Sequence, residues 1–198
     1  MKETGREIMI VDGGELVARV SPCPTFVDIP PLVPTYEAAV AAREAHPLRG
    51  VRHPMSDCVV CSPERADGLR VTPGPLAAVP DVLASPFVVR PDYAVQGLAN
   101  AESLWGALDC ISYPADLLRR RRLAYLGSLA VAIHRTPEVG ERLTAVGWML
   151  GSGQRSHRTA SALIDESDQV VASGRAVWVE ARRQWQLKVA RWVPRSRL

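Results

Sequence analysis

The sequence predicts an α+β fold in which an antiparallel sheet covers one apolar helix. Two patterns predict it. Residues 100–113 read as a helix that is apolar nearly all round, and behind it come four strand-like segments joined by short turns. A helix without a clear polar face has to be wrapped by other elements. Size and composition agree: 198 residues, 47% hydrophobic and 23% charged, make one domain, with or without an extension, that needs no disulfide staple. The same fractions exclude disordered, collagen-like and coiled-coil classes.

The elements follow in order. Residues 7–11 and 15–20 flank an Asp-Gly-Gly turn, which is hairpin chemistry. Prolines at 22, 24, 30, 31 and 34 then forbid regular structure. The alanine-rich stretch 36–46 predicts a short helix closed before Pro47. A cysteine-bearing loop spans 53–75, with a strand expected at 68–72, and 86–90 reads as extended. For the apolar helix, Asn100 is a good N-cap, Glu102 suits the positive end of the dipole, and Pro114 marks the stop. Leu104, Leu108 and Ile111 share one stripe; Trp105 and Asp109, four apart, set a carboxylate above an indole on the next. Strands are expected at 127–135, 141–150, 158–165 and 169–180, pairing in chain order as a meander. The chain thus divides into an N-terminal extension (1–50), the main domain (51–182) and a basic tail (183–198).

Net charge is +3, from 24 basic and 21 acidic residues. The excess sits in Arg119, Arg120, Arg121 and Arg122, and in a tail with Arg182, Arg183, Lys188, Arg191, Arg195 and Arg197 and no acid. Such blocks meet nucleic acid, anionic lipid or a phosphorylated cofactor, or simply form a solvated face. Trp178, Trp185 and Trp192 recur every seven residues among arginines. Stacking on single-stranded nucleic acid is one use of that pattern, sealing a core the commoner one, and no nucleic-acid partner is expected. No apolar run approaches the roughly 20 residues a spanning helix needs. The start also lacks a basic-then-apolar leader, so a cytoplasmic protein with no membrane partner is expected.

Asp109 is the most informative residue. Burying an unpaired carboxylate costs several kcal/mol, and desolvation raises its pKa, which suits a general base or nucleophile. The plainer alternative is a carboxylate that caps a backbone group or faces a wet rim. Cys58 and Cys61 stand at zinc spacing, with His53 as a third donor and Cys23 or Cys110 as a fourth. A single Cys-x-x-Cys also fits a structural loop or a redox pair. The structural loop is adopted, with no metal and no cofactor assigned. Residues 151–158 hold glycines with Arg155, His157 and Arg158, either a phosphate cradle or a solvated hairpin turn. There is no Gly-x-Ser-x-Gly elbow, dinucleotide fingerprint or P-loop.

Over residues 55–182 the chain resembles hotdog-fold acyl-CoA thioesterases, in the phenylacetyl-CoA-thioesterase-like branch and the wider 4-hydroxybenzoyl-CoA thioesterase superfamily. The strings that carry the resemblance are a helix ending in Ala107-Leu108-Asp109, SLAVAIHRTPEVGERLTAVGWML, SHRTASALIDESDQVVASGRAVWVE and the opening CVVCSPERADGLRVTPGP. It implies a sheet wrapped around one long central helix and hydrolysis of an acyl-CoA thioester. Asp109 would serve as base or nucleophile, helix N-terminal amides as oxyanion hole, and Asn100 as orienting group. Many members open the helix with His-Gly-Gly. Here Asn100-Ala101-Glu102 stands instead, and Gly97 is the glycine placed to serve the same backbone purpose. Arg155, His157 and Arg158 would meet the phosphates of acyl-CoA, with residues 119–122 as further candidates. The resemblance also implies a homodimer or higher assembly. Its non-enzymatic alternative is an acyl-CoA binding or assembly protein on the same scaffold.

Overall fold

The computed structural model describes residues 7–51, 53 and 55–185. Strands β1 (Ile8–Asp12) and β2 (Glu15–Val20) form the expected hairpin. Helix α1 (Tyr36–Glu44) is capped by Thr35, whose hydroxyl accepts a hydrogen bond from the Ala38 N–H at 3.2 Å. Then come β3 (Gly74–Pro75), β4 (Val82–Val88) and a small hairpin of β5 (Ala94–Val95) and β6 (Leu98–Ala99). Helices α2 (Ala101–Ile111) and α3 (Ala115–Arg119) precede β7 (Ala124–Ile133), β8 (Arg142–Ser152), β9 (Ser156–Ile164) and β10 (Val170–Glu180).

Six strands form one antiparallel sheet in the order β3-β4-β8-β9-β10-β7. Strands β8, β9 and β10 follow the expected meander, but β7 pairs with β10 at the edge and not with β8. The linker between β7 and β8 is the reason. It crosses the start of α2, where the Pro137 carbonyl accepts from Ala99 N–H and Val139 N–H donates to the Gly97 carbonyl, both at 2.9 Å. That crossing delivers β8 to β4, on the far side of the helix. Residues 68–72 are not a strand. Their N–H groups at Leu69 and Val71 donate to the Val59 and Val60 carbonyls (2.8 and 2.9 Å), a local loop contact instead of a ladder.

The sheet buries both faces. On the inner face Leu104, Ala107, Leu108 and Ile111 of α2 pack with Leu83, Phe87, Leu143 and Leu163. Each large side chain so buried contributes about 1.5–3 kcal/mol. Helix α2 is 11 residues, an ordinary length and shorter than the 100–113 span the sequence predicted. On the outer face Ala39 and Ala42 of α1 sit against Val82, Ala84, Val146 and Trp148. The proline-rich segment also lies on this face, across β10. Asp28 takes two bonds from the Arg175 guanidinium (2.7 and 2.9 Å), which stacks on Phe26 at 4.5 Å.

Where α1 meets β3, His46 Nδ1 lies 2.7 Å from the Pro73 carbonyl. Burial holds its imidazole below the usual value of 6.5, outweighing that hydrogen bond. A depressed base favours the neutral native form, so this stability is full above the unfolded value and lost as pH falls below it. The thermal midpoint of the wild type should therefore decline below about pH 6.5. His46→Gln should show a shallower decline over the same range; equal slopes would remove His46 from the acid response.

Candidate functional site

Helix α2 carries the site. Asn100 is extended (φ −73°, ψ 156°), and its Oδ1 accepts from Ser103 N–H at 2.8 Å while Ser103 Oγ donates back to the Asn100 carbonyl. The side-chain oxygen is thus spent on the cap, and the side-chain amide is the group left for a ligand. The first turn of a helix presents N–H groups that no helical carbonyl can satisfy, at the positive end of its dipole. Gly97 sits beside this end in the two-residue turn between β5 and β6, with φ +81°, a conformation that suits glycine. Its carbonyl anchors the β7–β8 linker.

Asp109 lies in the last turn of α2. Its Oδ1 is buried and has no hydrogen-bond partner. Burial, and then the charge at Cys58, raises its pKa to about 6. Trp105, one turn earlier, is 37% exposed, so the indole does not seal the carboxylate from solvent. The backbone here is held from the sheet. Trp178 Nε1 donates to Ser112 Oγ at 2.9 Å, and Ser112 Oγ donates to the Asp109 carbonyl at 2.7 Å. Ser112→Ala would leave the buried indole N–H without an acceptor and should cost about 1–3 kcal/mol. A denaturant midpoint unchanged from wild type would show that the chain is not holding the helix end.

The cysteine loop covers the side of α2 turned away from the sheet, Val60, Leu69 and Val71 joining the inner core. This brings together Cys58, Cys61 and Cys110, whose sulfurs all lie within 4.8 Å of one another. Cys58 and Cys110 are 3.8 Å apart. Hydrogen bonds from Cys110 and Cys61 push the Cys58 thiol far down. Cys110 is pushed well up by the same contacts and by burial. For Cys61 the bond with Cys110 acts downward, but the bond with Cys58 and burial outweigh it. The Cys58–Cys61 spacing was legible in the sequence; Cys110 as its partner rests on a contact across 52 residues. His53 is not among the three, and Cys23 is exposed.

The phosphate candidates do not converge. Arg155 is exposed in the β8–β9 turn, and its guanidinium donates to the Glu180 carbonyl (3.2 and 2.7 Å). His157 is 6% exposed, inside β9 opposite Trp178. The strand begins at Ser156, two residues before the expected start, and alternation turns His157 inward while Arg158 faces out over Gly151. A surface hollow of about 260 Å³ joins Arg155 to Arg182 and Arg183, with Tyr125 and Val179 in its wall. In the sequence those two arginines belong only to the basic tail. Arg119, Arg120 and Arg122 pair with Asp81, Asp116 and Glu180. Trp178 is core and Trp185 is 53% exposed; Trp192 and most of the basic tail lie outside the described residues.

An antiparallel sheet curled over a central helix, with that helix joined to an edge strand, is the hotdog fold. Solved structures share it. A thioesterase superfamily protein, RHA08564, matches with a TM-score of 0.54 and 20% identity over 61% of this chain and 62% of its own. Zebrafish thioesterase superfamily member 2 matches with a TM-score of 0.52 and 15% identity, over 64% of this chain and 92% of its own. No protein-family model matches the sequence, and neither does any curated protein. Among the described residues no helix is long and apolar enough to cross a membrane.

Proposed function

We propose that the protein hydrolyses an acyl-CoA thioester, with Asp109 as general base or nucleophile. The observation that carries this reading is the half-buried Asp109 carboxylate, its Oδ1 unpartnered and its pKa raised to about 6, on the central helix of a fold shared with thioesterase superfamily proteins. A base near neutrality is matched to activating water, and a carboxylate also attacks a thioester directly. The N–H groups opening α2, with Asn100 beside them, would receive the developing oxyanion.

One chain does not bring these two parts to one carbonyl. Asp109 stands eight residues beyond the first residue of α2, about 12 Å along the axis at the usual rise. The base of one copy would therefore act with the helix start of another, which supports a homodimer. Strand β7, at the sheet edge with Leu126 and Ile133 exposed, offers the backbone for such pairing. Arg155, with Arg182 and Arg183 lining the same hollow, is the first candidate for the phosphates of coenzyme A, and outward-facing Arg158 the second.

Thiol release from short, aromatic and long acyl-CoAs tests the reading, and turnover on at least one is expected. The second reading is a non-catalytic acyl-CoA binding protein, favoured by the absence of a titratable residue at Asn100-Ala101-Glu102 other than the exposed Glu102. Binding of acyl-CoA without turnover of any of them would select it.

A further inference from the structure

We propose that Cys58, Cys61 and Cys110 form a binding site for a thiophilic divalent cation of the zinc type, fastening the cysteine loop to the central helix. Zinc–thiolate bonds of about 2.3 Å in a tetrahedron put neighbouring sulfurs about 3.8 Å apart, whereas a disulfide needs about 2.05 Å. Cys58 and Cys110 stand at 3.8 Å, and Cys61 lies within 4.8 Å of both. The loop is shaped to present a thiolate. Val60 N–H donates to Cys58 Sγ at 3.4 Å, and the turn is closed by Ser62 N–H on the Cys58 carbonyl at 3.1 Å. Thr72 Oγ1 holds the Cys61 carbonyl at 2.7 Å from the other side of the loop. Outer hydrogen bonds of this sort orient metal ligands.

Asp109 Oδ1, next in sequence to Cys110, is a buried acceptor without a donor. Three thiolates leave one corner of the tetrahedron for water, as in zinc sites with three protein ligands. Binding joins the Cys58 thiolate, and the Cys61 and Cys110 sulfurs once their two S–H protons pass to solvent, to the metal, with no change of oxidation state. The ion would join the loop to α2 by a link the apolar contacts of Val60 and Leu69 alone do not provide.

The test uses the full, reduced chain, stripped with a chelator and titrated with Co²⁺, then back-titrated with Zn²⁺. One equivalent per chain is expected, with sulfur-to-cobalt charge-transfer and tetrahedral ligand-field bands that zinc abolishes. Cys58→Ser, Cys61→Ser and Cys110→Ser should each weaken Zn²⁺ binding by more than the ~100-fold that losing an outer hydrogen-bond partner costs. Cys23→Ser should bind as the wild type does. Absence of the charge-transfer bands from the wild-type titration overturns the site whether or not the variants fold. So does unchanged affinity in a folded Cys110→Ser, or a thiol count showing a Cys58–Cys110 disulfide in the isolated protein. Metal binding is read without any substrate, so its failure and the failure of the hydrolase reading are separate results.

Discussion

Asp109→Asn is expected to lower turnover by about 10³-fold, within the usual range for losing a positioned base, while acyl-CoA still binds. The same substitution should make the protein more stable. Burial raises the native carboxyl from 3.8 to about 6, so the native state resists the charge that the unfolded chain accepts readily. A raised acid subtracts stability above its folded pKa and nothing below its unfolded one. At 1.36 kcal/mol per unit, removing that charge gains about 2–3 kcal/mol at pH 7, and the gain disappears below about pH 4. Thiol-release kinetics and thermal unfolding on one preparation check both halves. Turnover within about 10-fold of wild type would take Asp109 out of the chemistry.

Gly147→Ala should be among the most damaging conservative changes in the sheet. A Cβ built at this position of β8 would lie 1.9 Å from the Ile111 carbonyl oxygen and 2.8 Å from its carbon. Both are backbone atoms of the last turn of α2, so no rotamer change makes room; the helix end must move away from the strand. Overpacking of this kind costs about 3 kcal/mol or more. In a domain of this size that is a fall in Tm of about 6–12 °C. Asp109 is two residues from the point of impact, so kcat should fall with the stability. A variant as stable as wild type would mean that the helix has slack at its C-terminal end.

Some of this was legible in the sequence, and the limits have physical causes. Helix α2 was legible because Asn100, Glu102 and Pro114 mark its ends and its interior is apolar. Strands β8 to β10 were legible because short turns force neighbours to pair. The place of β7 was not, since a linker that crosses a helix leaves no local mark, and the sheet order depends on where it lands. The sequence pattern places His157 in a turn because strand ends are set by ladder bonds, and two residues' difference turns it from the surface to the core. For the candidate site, Asp109 stood out as a charge on an apolar helix. Cys110 stood only as one of two options beside Cys23, because a buried cysteine in a helix is an ordinary small apolar residue until the fold places two more beside it. Arg182 and Arg183 belong to a hollow that exists only once β7 and β10 are paired.

The strap formed by Phe26 and Asp28 over β10 has a kinetic consequence. Its ion pair to Arg175 closes a loop of 147 residues, and such distant contacts carry the largest chain entropy and form last. Strands β8, β9 and β10, by contrast, close through local turns. The outer face should therefore be bare on the pathway and covered only at the end, with the strap released first when native protein opens. Native-state hydrogen exchange would show it as a separate, low-energy opening of residues 21–34, ahead of the sheet beneath.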